Sequence, residues 1–354
     1  MDVYHALASG TPFEATADGI IHRPEITDPQ RGHPDAVAVV RTSGSTGTPK
    51  QTLLTASALN ASAQATAEHI GGEGQWLLAV GTQYVAGLAV VSRSVQAGTT
   101  PVVIDPSFDA EQFIAGTQKL DHDFTAVSMV PTQLLQLLDH DGAIAALQSY
   151  SAILVGGSAI PERISAAAEH HGLNLYTTYG MSETCGGCVY DGIPLPGVTV
   201  DTVEHHGVGR IRITGPMVAA GYFDDPELTA AHFDDGWFVT DDYGAVTDGT
   251  VQVAGRLDDV INTGGVKVSA AQVQHVLQRW VPEAFVTAIP DGHWGQRVSA
   301  VVTGETSQEV LADAVRSALG APAVPKTWLR VASLPMLENG KPDRITLTEW
   351  LAKE

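Results

Sequence analysis

The chain has 354 residues, 44% of them hydrophobic and 17% charged, with 40 acidic against 19 basic side chains and a net charge of −21. This length suits two domains, and the composition is that of a folded chain rather than a disordered one. The acidity disfavours nucleic acid and anionic membrane as partners, no apolar run approaches the roughly 20 residues of a membrane span, the first ten residues show no leader pattern, and two cysteines exclude a disulfide scaffold. The expectation is a cytoplasmic protein that binds small molecules and does not insert into a membrane.

In chain order, apolar runs at 36–40, 76–80, 101–104, 124–130, 151–155 and 173–178 each end in a loop rich in Gly, Ser, Thr or Pro. Short β-rich runs alternating with Ala- and Leu-rich helical stretches predict a layered α/β fold, in which ligands gather at the carboxyl ends of the strands. The pattern changes after about Val198. Residues 210–213 and 250–253 alternate polar and apolar, as half-exposed antiparallel strands do. Residues 255–259 form a junction, and Ser269 with Gln272 makes a capping box ahead of Val273, Val276 and Leu277 at helical spacing. The predicted organisation is a large layered α/β N-terminal domain over 1–257, with a β-rich subdomain at about 198–257, and a small mobile α+β C-terminal domain over 258–354.

The run Thr-Ser-Gly-Ser-Thr-Gly-Thr-Pro-Lys over 42–50 carries the most information. It comprises Thr42, Ser43, Gly44, Ser45, Thr46 and Gly47 and closes on Lys50. Glycines permit close backbone approach, hydroxyls and N–H groups can cradle phosphate oxygens, and Lys50 adds a point charge. Only two residues separate Gly44 from Gly47, and Pro49-Lys50-Gln51 follows, so this is not a Walker A loop. Taken alone, an ordinary surface loop competes with this reading. The run resembles the phosphate-loop signature of the acyl-adenylate-forming superfamily, which comprises acyl-CoA synthetases, adenylation domains and luciferases.

Five further motifs fit the same resemblance in the same order. Tyr179-Gly180-Met181-Ser182-Glu183 is similar to the motif in which Tyr179 would stack on adenine and Ser182 would donate to the α-phosphate. Glu183 would hold Mg²⁺ with the ATP phosphates, hard cations preferring oxygen ligands. Gly156, Gly157 and Ser158 match a loop that lies against adenine. Residues 237–244 resemble the aromatic-x-Thr-Gly-Asp motif; aligned on Thr240, Asp241 replaces the glycine and Asp242 is the expected ribose ligand. In the junction, Arg256 would meet ribose or phosphate, Asp258 would be the hinge, and Gly264 and Gly265 would line the pantetheine path. Lys341, in the terminal Gly-Lys, would bridge the substrate carboxylate and the α-phosphate.

The resemblance spans residues 42–341 and implies an AMP-forming acid–thiol ligase with Mg²⁺ as cofactor and ATP, CoA and a carboxylate as small-molecule partners. The short N-terminal region is similar to that of the compact 2-succinylbenzoate–CoA ligases of menaquinone biosynthesis, as are residues 127–135 and 184–192. The implied acyl-site residues are Tyr84, where the family often has His, with Gly87, Arg93, Gly186 and Gly187. Arg93 reads equally well as a helix-surface cation. Other readings are a ligase for another aryl or acyl carboxylate and a non-catalytic nucleotide-binding homologue. A redox pair at Cys185 and Cys188 is a third; Glu183 beside it would raise thiol pKa and disfavour it. A homodimer is the commonest assembly for such an enzyme, and the sequence leaves the oligomeric state open.

Overall fold

The computed structural model describes residues 2–42, 50–105, 108–205, 207–337 and 342–354. It is a mixed α/β structure, as the alternation of strand and helix signals implies. Its centre is a seven-stranded sheet. Five strands run parallel in the spatial order Leu175–Met181, Ala152–Gly156, Thr125–Met129, Gln75–Leu78 and Val102–Val103. Two antiparallel strands, Gly186–Tyr190 and Ile193–Pro194, extend it past Leu175–Met181.

Both faces of the parallel strands are covered, which is why they read as continuous apolar runs. Trp76, Leu78, Ala126, Ala152 and Leu154 pack on one side with Leu59, Leu88, Val90 and Val91 of helices Ala56–Ile70 and Val85–Gln96. Leu77, Val127, Ile153 and Val155 point the other way, onto Phe113, Leu134, Leu137, Leu147 and Ile164 of four shorter helices. Successive side chains thus supply two separate cores.

A mixed five-stranded sheet precedes this one, in the order Gly221–Tyr222, Lys50–Thr55, Ala36–Thr42, Phe13–Thr16, Gly19–His22. An antiparallel sheet follows it, built from Thr199–His205, Val208–Thr214, Trp237–Thr247 and Phe233–Asp234, with Thr250–Arg256 paired to Trp237–Thr247. The polar–apolar alternation at 210–213 is realised here, with Ile211 and Ile213 buried; at 250–253 only Val251 is buried and Val253 is exposed.

The last sheet comprises Val266–Ser269, Val260–Thr263, Gly295–Val302 and Ala284–Asp291, with Thr327–Arg330 parallel to Gly295–Val302. Val286, Val298, Ala300 and Val302 face helices Ala270–Gln278 and Gln308–Leu319. Phe285 and Val301 face Leu347 and Leu351 of helix Arg344–Leu351. Ser269 caps the first of these helices by accepting from Gln272 N at 3.2 Å. Arg163, in helix Glu162–His170, donates to Pro282 O, and Arg279 pairs with Glu162 at 3.2 Å, so the segment between helix Ala270–Gln278 and strand Ala284–Asp291 touches a helix of the central sheet. No helix among the described residues is long and apolar enough to cross a membrane.

Candidate active site

The parallel strands end on one side, where Gly156 closes strand Ala152–Gly156 and Ser182 and Glu183 follow strand Leu175–Met181. Thr42 and Lys50 are opposite each other on antiparallel strands. The part of the phosphate run between them, Ser43, Gly44, Ser45, Thr46 and Gly47, lies outside the described residues, as does Lys341. Lys50 Nζ lies 5.6 Å from the Tyr222 ring centroid and 3.7 Å from Asp241 Oδ2.

Ser182, Glu183 and Thr184 form a buried single turn directly after strand Leu175–Met181. The turn is closed by Thr184, whose hydroxyl accepts from Met181 N at 3.0 Å and donates to Gly186 O at 2.7 Å. Tyr222 Oη donates to Glu183 Oε1 at 2.8 Å, and burial followed by the Glu183 charge pushes the Tyr222 phenol far above its ordinary value. Tyr222 therefore stays a donor and fixes one carboxylate oxygen. Sequence reasoning missed Tyr222, which lies 39 residues from Glu183. The aromatic after Gly221 in an otherwise apolar run was its only signal.

Tyr179 Oη donates to Asp242 Oδ2 at 2.7 Å. Asp242 N in turn donates to Thr240 Oγ1 at 2.9 Å, and that hydroxyl donates to Ile211 O at 2.9 Å, so the Thr240 side chain fixes where Asp242 points. Burial raises the Asp242 carboxyl above its usual range, while the Tyr179 bond and Arg256 pull it back. Arg256 is opposite Asp242 on the paired strand and reaches Asp242 Oδ1 at 3.5 Å. It also makes a two-pronged contact with Asp258, Nε at 2.9 Å and Nη2 at 3.0 Å. Burial opposes the Arg256 charge, but the Asp258 bond and the fields of Asp242 and Asp241 outweigh it.

Close backbone packing explains several glycines. Gly156 pairs with Thr178, and a Cβ there would lie 2.2 Å from Thr178 Oγ1. Gly157 follows at φ +85°, with Ser158 exposed beyond it. A Cβ on Gly180 would lie 2.0 Å from Gly186 O, and one on Gly187 2.7 Å from the Tyr190 ring. Gly264 and Gly265, at φ +58° and +81°, are the two-residue turn joining Thr263 to Val266, the geometry that favours two glycines.

Tyr84 is half-buried at the start of helix Val85–Gln96. A Cβ on Gly87 would strike Gly81 O at 2.3 Å, so that helix starts hard against the loop after strand Gln75–Leu78. Ala89 comes within 3.4 Å of a Cβ built on Gly186, which sets helix and strand side by side. Arg93 corrects the surface reading: it is 7% exposed, stacked 4.9 Å over Trp76, with Nη2 donating to Tyr190 Oη at 3.2 Å. The helix is apolar around most of its circumference, and the arginine is carried inside with it. Cys185 and Cys188 are fully buried free thiols, and burial pushes Cys188 up to about 12, which removes the thiolate a redox pair needs.

The N-terminal region contributes a feature that sequence reasoning passed over. Glu14 is 5% exposed and accepts from Arg23 and Arg41, while Arg23 Nη2 donates to Gln51 Oε1 at 3.2 Å. The carboxylate thereby ties together both strands that flank the phosphate run. Near the other end of the chain, Arg344 pairs with Asp259, three residues past Lys341 and next to Asp258.

A buried carboxylate braced by a phenol, a second carboxylate shared by a tyrosine and an arginine, and a lysine at the end of a phosphate run together define a nucleotide-dependent enzyme on an α/β frame. The chain belongs to the AMP-binding enzyme family: the family's model matches residues 6–223, and that of its C-terminal domain matches residues 275–341. A probable 2-succinylbenzoate–CoA ligase of Mycobacterium tuberculosis is 40% identical over 332 residues, covering 90% of this chain and 86% of that protein. The o-succinylbenzoate CoA synthetase MenE of Bacillus subtilis, solved with the acyl-adenylate OSB-AMP, superposes with a TM-score of 0.77 at 27% identity, over 88% of this chain and 69% of that one. Its complex with ATP and magnesium ion matches with a TM-score of 0.76 at 27% identity, over 88% and 70% of the two chains. The amide bond synthetase McbA of Marinactinospora thermotolerans matches with a TM-score of 0.80 at 27% identity, over 90% of this chain and 70% of that one.

Proposed function

We propose that the chain is an ATP-dependent ligase that joins 2-succinylbenzoate to coenzyme A through an acyl-adenylate, a step of menaquinone biosynthesis. The observation that carries the chemistry is the convergence of Lys50, Glu183 and the Tyr179–Asp242–Arg256 chain at the strand ends. The substrate rests on the relative that is 40% identical over nearly the whole chain.

In the first half-reaction a carboxylate oxygen attacks the ATP α-phosphorus, the α–β bond breaks and pyrophosphate leaves. Tyr179 stacks on adenine while its hydroxyl holds Asp242 for the ribose. Ser182 donates to the α-phosphate, and Lys50 and Lys341 offset the charge that builds there. Glu183 suits Mg²⁺. It is a buried hard-oxygen donor with one oxygen already bonded to Tyr222, and no cluster of three potential ligands exists among the described residues. Such an ion is held by one carboxylate together with substrate phosphates, and it neutralises them when bound. In the second half-reaction the CoA sulfur attacks the acyl carbon and AMP leaves.

The division into domains 1–257 and 258–354, with Asp258 as the hinge, is supported by the separate cores that begin at Ile261. Gly264 and Gly265 line the pantetheine path in this reading, and Tyr84, Gly87, Gly186 and Gly187 the acyl site. It also expects a cytoplasmic enzyme, with a homodimer as the assembly that sedimentation would test.

The test is pyrophosphate release with ATP and Mg²⁺ across a panel of aryl and acyl carboxylates. Selective turnover of 2-succinylbenzoate is expected. Turnover of other acids alone would keep the ligase chemistry and discard the substrate, and no release with any acid would sink both.

A further inference from the structure

Asp241 stands where the family motif has glycine, and its surroundings set it apart from Asp242. Oδ1 accepts from Arg210 Nη2 at 3.1 Å, and Arg210 also donates through Nε to Thr240 O, so this arginine is a fixed anchor. Oδ2 faces two other cations at longer range, Lys50 Nζ at 3.7 Å and Arg256 Nη2 at 3.9 Å. Lys50 has no other ion-pair partner among the described residues. The carboxylate is only about one-third exposed, so these attractions are incompletely screened.

We infer that Asp241 is an internal stand-in for phosphate: it holds Lys50 at the nucleotide site of the empty enzyme, adds its field to that of Asp258 and Asp242 on Arg256, and gives Lys50 up when the triphosphate arrives. This inference rests on the ATP-ligase reading. The distances support a holding role. Arg210 sits at hydrogen-bond distance, whereas Lys50 is drawn toward Asp241 without being locked to it, and Arg256 is hydrogen-bonded to Asp258 instead. A chain of net charge −21 binding a polyanion depends on local cations. A carboxylate that occupies Lys50 competes directly with the ligand, and it keeps that lysine from wandering while the site is empty; Arg256 is already held by Asp258. Asp241 is thus a positioning residue that sets nucleotide affinity, and Asp242 is left to the ribose.

The experiment is direct titration of ATP and of pyrophosphate onto the full chain at low and high salt, by calorimetry, for wild type, Asp241→Asn and Asp241→Glu. Asp241→Asn is expected to bind both ligands about three- to tenfold more tightly at low salt, the range of one or two partly screened ion pairs. The gain should shrink at high salt, and Asp241→Glu should restore wild-type affinity. In turnover, KM for ATP should fall with kcat little changed. Damage to the fold would weaken binding, so tightening cannot arise from a merely structural role. Equal or weaker binding by a folded Asp241→Asn, judged by its circular dichroism, would overturn the inference. If Asp241→Asn does not fold, Asp241→Gly, which restores the family residue, is read by the same criteria. Failure of the wild type to bind ATP at all would instead overturn the proposed function, and the inference with it.

Discussion

Replacing Tyr179 with Phe removes one hydroxyl and leaves the ring, which Tyr179 holds by pairing with Val189 between two strands. The lost bond is the 2.7 Å donation to Asp242 Oδ2, an acceptor only 8% exposed. A hydrogen bond to a buried charged group contributes about 1.5–3 kcal/mol, so a loss of about 2 kcal/mol is expected at neutral pH. The pH dependence follows from Asp242. Burial already raises its carboxyl in the folded state, and Tyr179 counteracts that rise. A raised carboxyl costs stability above its folded pKa, and the cost disappears as pH falls toward the unfolded value of 3.8. Tyr179→Phe raises the carboxyl further, so the stability gap is widest near pH 7 and narrows on acidification. Urea unfolding from pH 8 downward, compared at equal slope, measures this gap. A gap below about 0.5 kcal/mol, or one that does not change with pH, would refute the assignment of the Tyr179–Asp242 bond.

Other outcomes follow from the same geometry. Gly180→Ala places a methyl 2.0 Å from Gly186 O, between two paired strands. It should cost about 1–3 kcal/mol and displace Ser182 and Glu183, lowering pyrophosphate release far more than a Gly292→Ala control, where no atom is within reach and the backbone is not left-handed. Glu14→Gln leaves Arg23 and Arg41 facing a neutral acceptor and should destabilise by about 3 kcal/mol or more, seen as a lower urea midpoint. An unchanged midpoint would dismiss the brace. Cys185→Ala with Cys188→Ala should retain CoA-thioester formation, and the native thiols should resist alkylation until urea unfolds the chain; rapid labelling of the native protein would contradict their burial. Lys341→Ala should lose adenylation far more than thioester formation from preformed adenylate, and equal losses in the two steps would count against its role.

Much of the frame was legible because parallel strands buried on both faces leave uninterrupted apolar runs, as at 126–127 and 152–155. The glycine-rich strand ends were legible for a related reason. Gly156 and Gly180 lie where backbones approach too closely for a Cβ, and such positions accept little else. The partners of those residues were not legible. Tyr222 and Glu183, or Glu14 and Arg41, meet only through tertiary folding, and no periodicity links residues 27 or 39 apart. Arg93 shows the converse failure. Its charge suggested a surface, but the helix around it is apolar enough to carry it inside, where Trp76 and Tyr190 receive it. The exchange of glycine for Asp241 was visible in sequence, yet its meaning came only with the three cations that face it.

The central claim is a two-step ligase acting on one acid, and a single-turnover trap tests it most directly. Enzyme in excess over 2-succinylbenzoate is mixed with ATP and Mg²⁺, quenched for mass spectrometry, and then chased with CoA. The account predicts an enzyme-bound 2-succinylbenzoyl-adenylate that converts to the CoA thioester only after the chase, with AMP released in equal amount. Thioester formed with no adenylate and with ADP as the nucleotide product, or no acyl product of any kind, would contradict it.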